Sequence, residues 1–323
     1  MKPFRHFNAA SVDEALALLT EFGGKARVTA GGTDLLGVLK SDIFSDYPEA
    51  VINLKTISGL GGIVADAGEI RIGALARLTD IAESPVVKKN CPALALSAAS
   101  VGSPELRNMG TIGGNLCQDT RCWYYRYPDK MGGRVPCYRK GQGPCHAIRG
   151  DNRYHAVLGG RKCYAVCPSD LAVVLAALEA GVKTIRPAGE RTIPLADFYD
   201  TLGPVLNPDE LVSEIRIPAP AANAVQRFSK FRLRESIDFA VVSVAAVLEV
   251  AEGVCRDARI VLGAVAPVPY RAVGAEDVVR GGPLDQRQTE LAAEAALRDA
   301  EPLSGNAYKI EIAKTLVRRA LRL

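Results

Sequence analysis

No stretch of this chain approaches the roughly 20 consecutive apolar residues that a bilayer-spanning helix needs. Neither G-x-G-x-x-G nor G-x-x-x-x-G-K-S/T occurs, so neither a Rossmann fold nor a P-loop is indicated. There is no C-x-x-C pair, which removes the zinc-ribbon, RING and compact ferredoxin patterns. The formal net charge of +4 is small and dispersed, and it makes no case for nucleic acid. The basic residues Lys314, Arg318, Arg319 and Arg322 more simply complement the C-terminal end of a helix. The opening M-K-P-F-R-H-F lacks the apolar core of a secretory signal, so the expectation is a cytoplasmic protein without a membrane partner.

At 323 residues and 48% hydrophobic content, the chain has room for two or three subdomains with real cores. Its most unusual stretch runs from Thr111 to Asp170. Six of the eight cysteines lie there (Cys117, Cys122, Cys137, Cys145, Cys163 and Cys167), with Trp123, Tyr124, Tyr125 and Tyr127. Little apolar periodicity and many Gly, Arg and Cys cannot build an ordinary core, so something else must order this excursion. In a reducing compartment such cysteines argue for working thiolates rather than disulfides. Cys91 and Cys255 stand apart in apolar surroundings and read as core residues.

Taken in order, Ser11 and Glu14 read as a capping box opening a helix that ends at Gly23-Gly24. A strand at 26–29 runs into Ala30-Gly31-Gly32-Thr33-Asp34 and a helix start. Strands at 51–54 and 69–73 follow, then helices near 79–83 and 92–100. Thr111-Ile112-Gly113-Gly114-Asn115 forms a second double-glycine turn. Glycines permit close backbone approach and free N–H groups at a helix start attract anions, so two such loops suit the two ends of a pyrophosphate. Beyond the cysteines come an apolar helix or strand at 171–180, a hairpin about Ala188-Gly189 and an alternating strand at 211–218. Residues 219–224 are a linker. Three strand-like runs at 226–232, 239–250 and 259–266 and two helices at 285–299 and 306–321 read as an antiparallel sheet covered by helices.

Fourteen residues separate Cys122 from Cys137, seven separate Cys137 from Cys145, and seventeen separate Cys145 from Cys163. Spacing alone leaves an iron–sulfur cluster, a zinc ion and free thiols open. Asn115 lies seven residues from Cys122, within about 25 Å, so metal held there would sit near any nucleotide on the glycine loops.

Together, A-G-G-T-D-L, T-I-G-G-N-L-C-Q-D-T-R-C and P-S-D-L resemble the FAD-binding medium subunit of the xanthine dehydrogenase-type molybdenum hydroxylases, over essentially the whole chain. The cysteine insert is similar to that of the 4-hydroxybenzoyl-CoA reductase beta subunit, and also to one in certain bacterial aldehyde-oxidising enzymes, where it carries a [4Fe–4S] cluster. The resemblance implies an α+β fold. Residues 1–55 and 56–218 would form a two-part FAD-binding domain of the PCMH/vanillyl-alcohol-oxidase type, with the insert at about 117–167. Residues 225–323 would form a three-stranded antiparallel sheet with helices.

It further implies that Ala30, Gly31, Gly32, Thr33 and Asp34 contact the FAD phosphates from one side. Thr111, Gly113, Gly114 and Asn115 would do so from the other. Asp170 would meet the ribityl or adenosine portion, and Lys230 would stand near the isoalloxazine, with a solvated strand lysine as the equal alternative. The implied cluster ligands are Cys122, Cys137, Cys145 and Cys163, with Cys117 a non-ligand and Cys167 without a counterpart. His146 and His155 read as hydrogen-bonded loop histidines. The aromatic run at 123–127 is either a shield or the insert's own core. Partners would be a large molybdopterin-binding subunit, a small [2Fe–2S] subunit and an external carrier such as ferredoxin. A 4-hydroxybenzoyl-CoA reductase is the preferred holoenzyme, ahead of an aldehyde or purine oxidoreductase, with a zinc-stapled non-redox module and a free-standing flavin oxidase as other classes.

Overall fold

The computed structural model describes every residue except Ser45, Ala67 and Leu323. Ser11 caps the helix Val12–Glu21 by accepting Glu14 N–H at 3.1 Å, while Glu14 accepts Ala10 N–H at 2.7 Å. That helix connects two strands, Arg5–Asn8 and Ala26–Thr29, which flank Ala50–Asn53 and pair with it in parallel. Parallel neighbours demand such a crossover. Leu16, Leu19, Ala26 and Ile52 pack beneath it.

A five-stranded antiparallel sheet follows, in the order Ile63–Asp66, Glu69–Gly73, Leu211–Pro218, Gly181–Arg186, Gly189–Pro194. Leu211–Pro218 takes the centre, its alternation burying Leu211, Ser213, Ile215 and Ile217. The ambiguous apolar run resolves as the helix Asp170–Ala177. It is apolar all round because it packs against the helix Pro92–Ala99 and against the C-terminal sheet. Two short helices, Pro104–Met109 and Ile112–Leu116, were not legible in the sequence pattern.

The C-terminal sheet has the three expected strands, Ala224–Phe231, Val242–Ala251 and Val254–Gly263, all antiparallel. A fourth, Tyr270–Arg271, adds only two residues at the edge. Helices Val273–Val279, Gln286–Ala296 and Tyr308–Leu321 cover it over a second, separate core. Among the described residues no helix is long and apolar enough to cross a membrane.

From Gln118 to Ser169 the chain forms only three short 3-10 turns. Its two ends are pinned together where Ser169 Oγ donates to Asn115 Oδ1 at 2.6 Å. The insert borrows its core: Tyr125 and Cys137 pack on Val38 and Ile43 of the N-terminal subdomain. Ionic contacts do the rest, including Arg134 to Asp42 at 2.9 Å and Arg126 to Asp34 at 2.7 Å.

Candidate functional site

A cleft of about 470 Å³ runs between the N-terminal subdomain and the rest of the chain, within the range of small-molecule and cofactor sites. All eleven residues that the sequence assigns to the nucleotide line it: Ala30, Gly31, Gly32, Thr33, Asp34, Thr111, Gly113, Gly114, Asn115, Asp170 and Lys230. The two glycine loops, about 80 residues apart in sequence, are in direct contact. A Cβ on Gly31 would stand 2.5 Å from the carbonyl carbon of Met109 and 3.0 Å from Gly110 Cα. Gly32 meets a different demand, with φ at +71°. Among the described residues, the N–H groups of Gly31, Gly32, Thr33 and Asp34 have no hydrogen-bond acceptor within the chain, which leaves them for an anionic ligand.

The polar side chains are more committed than sequence suggests. Asp34 accepts Asp119 N–H at 2.7 Å, Arg126 at 2.7 Å, and Arg121. Burial favours its neutral form, but the Arg121 and Arg126 guanidiniums outweigh that and hold the carboxyl below its usual range. Asp34 therefore anchors the insert to the first glycine loop, and its carboxylate is committed to groups of this chain. Thr111 Oγ1 caps its own short helix by accepting Gly114 N–H at 3.1 Å, and Asn115 is engaged by Ser169. Asp170 and Lys230 form a buried pair at 2.6 Å, with Lys230 also donating to Ser100 O at 3.3 Å. Burial raises the Asp170 carboxyl and the Lys230 ammonium opposes that. Lys230 is thus a buried, paired lysine on the cleft wall rather than a solvated strand residue.

Sequence reasoning missed Arg121, Arg139 and Glu210 in this wall. Only Arg121, next to Cys122, lies in a motif that was read. Glu210 is held by Arg191 at 2.6 and 2.7 Å, by Thr184 Oγ1 at 2.5 Å and by Asn207 N–H at 3.0 Å. Burial raises its carboxyl, but these donors win and draw it down to about 2 from an ordinary 4.5. A depressed carboxylate contributes stability above its unfolded-state value and loses it as pH falls toward the folded value. The shift is worth about 3 kcal/mol at neutral pH. In urea titrations, the stability advantage of wild type over Glu210→Gln should shrink by roughly half between pH 6 and pH 3. A constant difference would show that Glu210 is not charged in the way these contacts imply.

A second, small cavity is walled by Cys122, Cys137, Cys145 and Cys163 with Tyr124, Tyr125 and Tyr138. These are the four cysteines assigned by resemblance. Cys117 and Cys167 instead line the larger cleft, and burial pushes the Cys167 thiol up to about 12. Arg139 lines both cavities, 5.7 Å from the Tyr125 ring, with a hydrogen bond to Thr201 O at 2.9 Å. Burial pushes Cys122 up to about 11, opposed by backbone hydrogen bonds from Tyr125 and Tyr124 and reinforced by the nearby Cys163 and Cys145. Among the described residues, no three His, Cys, Asp or Glu side chains are gathered tightly enough for a single metal ion. His146 contacts Pro136 O at 2.7 Å, and His155 Nε2 stands 3.2 Å from Cys122 Sγ. Trp123 packs edge-on against Tyr124, Tyr154 and His155, so the aromatic run serves as local core.

Residues 2–220 match the FAD binding domain in molybdopterin dehydrogenase, and residues 226–323 match the CO dehydrogenase flavoprotein C-terminal domain. The fold and cleft thus define an FAD-binding subunit of an oxidoreductase. The aldehyde oxidoreductase FAD-binding subunit PaoB of Escherichia coli is 36% identical over 97% of this chain and 96% of its own length. The carbon monoxide dehydrogenase medium chain of Hydrogenophaga pseudoflava is 29% identical over 98% of this chain and 96% of its own. A solved structure of carbon monoxide dehydrogenase from the same organism superposes with a TM-score of 0.79 at 29% identity, over 99% of this chain and 97% of that one. Quinoline 2-oxidoreductase from Pseudomonas putida 86 gives 0.78 at 27%, over 99% and 97%. The chain belongs to the FAD-binding medium subunits of the xanthine dehydrogenase and CO dehydrogenase family of molybdenum hydroxylases.

Proposed function

We propose that this chain is the electron-transferring FAD and [4Fe–4S] subunit of an aldehyde-oxidising molybdenum-hydroxylase-type enzyme. A large molybdopterin-binding subunit would take the organic substrate, and a small [2Fe–2S] subunit would connect it to the flavin. The observation that carries the reading is the pairing of cavities: a cleft of about 470 Å³ and a pocket lined by four cysteines, with Arg139 in the wall of both. The donor set fits the cluster. Four cysteine residues line one small space, and thiolates are the ligands that iron–sulfur clusters take.

In this reading the unpaired N–H groups of Gly31 to Asp34 bind the pyrophosphate. Gly113 and Gly114 let the backbone approach from the other side. The buried Asp170–Lys230 pair forms part of the cleft wall. Bound FAD exchanges electrons singly or in pairs, which lets it join unlike carriers. The cysteine pocket would extend that chain toward an external one-electron carrier such as ferredoxin. The aldehyde substrate is favoured over the 4-hydroxybenzoyl-CoA that the N-L-C-Q-D-T-R-C motif first suggested, because the 36% identical relative is an aldehyde oxidoreductase subunit and its match spans nearly the full length of both chains.

The holoenzyme, purified anaerobically with its partner subunits, should contain FAD plus iron and acid-labile sulfide beyond the small subunit's share. It should oxidise aldehydes and leave aryl-CoA thioesters unreduced. Cys137→Ser should lose about four irons per protomer while retaining FAD. Iron unchanged by that substitution would remove the ligand set, and aryl-CoA reduction without aldehyde turnover would reverse the substrate assignment.

A further inference from the structure

The contact between His155 and Cys122 carries a consequence for the cysteine pocket, given the cluster reading above. His155 is almost wholly buried and its Nε2 lies 3.2 Å from Cys122 Sγ. It is not among the residues that wall the pocket, so the ring reaches the sulfur from outside the space where metal would sit. That position suits a donor rather than a fifth ligand. The other ring nitrogen, Nδ1, is buried without a partner. A neutral imidazole has one N–H to place. On Nε2 the proton meets the sulfur and leaves only a lone pair unmatched; on Nδ1 it would be an orphaned buried donor.

The ring's position is set from the C-terminal domain. Asn306 Nδ2 donates to His155 O at 3.1 Å and Lys309 Nζ donates to the same oxygen at 3.0 Å. Both residues are fully buried. On the ring side, Trp123 packs edge-on with centroids 5.4 Å apart. Backbone and ring are therefore both fixed, and the nitrogen–sulfur approach is a built feature.

We infer that His155 donates its Nε2–H to Cys122 Sγ and so raises the reduction potential of the cluster that Cys122 helps to hold, with Asn306 and Lys309 as positioning residues. A hydrogen bond to a ligand sulfur offsets negative charge, and it does so more in the reduced state, which carries one more electron.

The test is an EPR-monitored redox titration of the anaerobically purified holoenzyme with His155→Phe, which keeps an aromatic ring and removes the donor, and with His155→Gln, which keeps an N–H. Phe should retain wild-type iron and sulfide while its midpoint moves negative, on the order of a tenfold change in the oxidised-to-reduced ratio, which is 59 mV for one electron. Gln should recover part of that shift. A fully loaded His155→Phe protein at the wild-type potential overturns the inference and leaves the cluster reading standing. Wild-type protein lacking the additional iron and sulfide overturns the cluster reading instead. Should His155→Phe fail to load, pulsed EPR of the reduced His146→Phe protein grown with ¹⁵N-histidine decides the matter. A weak ¹⁵N coupling is expected from His155, and its absence overturns the inference.

Discussion

Gly31→Ala should abolish stoichiometric FAD binding. The added methyl would stand 2.5 Å from the carbonyl carbon of Met109 and 3.0 Å from Gly110 Cα, and both are backbone atoms that no rotamer change can move. The two glycine loops must then separate, although the cleft requires them in contact. Overpacking of this kind costs about 1–3 kcal/mol in a core. Here the displaced atoms belong to the ligand loops themselves, so the damage falls on the cofactor. FAD affinity should drop at least tenfold, read by flavin content after gel filtration and by titration of apoprotein. Gly37→Ala is the matched control. It lies in the helix Leu35–Ser41 with nothing within 4 Å of an added Cβ. That change should be neutral or stabilise by about 0.5–1 kcal/mol, the usual gain of Ala over Gly in a helix. Full flavin retention by Gly31→Ala would mean that the loops are not jointly required.

Lys230→Met should produce the largest loss of stability of any single cleft substitution. Lys230 and Asp170 are both nearly inaccessible to solvent, with Nζ and Oδ2 2.6 Å apart. Removing one partner of such a pair leaves an uncompensated buried charge and costs about 3–5 kcal/mol, whereas replacing both partners with apolar groups is often near neutral. Urea midpoints should therefore fall sharply for Lys230→Met and recover in the double variant Lys230→Met/Asp170→Leu. Flavin binding should stay impaired in the double variant, since both residues line the cleft. Additive losses in stability would show that the two charges do not depend on one another. Restored flavin content alongside restored stability would show that the pair acts only as a structural element.

Much of the fold could be read from local pattern because local chemistry decides it. The capping box at Ser11, the double-glycine end of the first helix, and the alternation at 211–218 each concern residues within a few positions of one another. Other elements could not be read this way. The run at 171–180 is apolar on every side, and periodicity cannot separate helix from strand when both faces are buried. The helices at 104–109 and 112–116 are too short to show a period. The sheet-edge strand Tyr270–Arg271 has only two residues.

The sequence by itself determined which atoms are available for chemistry: two loops without side-chain bulk, six thiols in one excursion, and a chain end that packs as an ordinary α+β domain. Only the tertiary structure sorted those atoms. It placed Cys122, Cys137, Cys145 and Cys163 around one pocket and sent Cys117 and Cys167 to the other cleft. It engaged the Asp34 carboxylate with Arg121 and Arg126, 87 and 92 residues away, and brought His155 to Cys122. The physical reason is range. Caps, turns and propensities act over a few residues, whereas ion pairs and sulfur contacts depend on which distant segments packing brings within 3–4 Å, and spacing along the chain does not encode that.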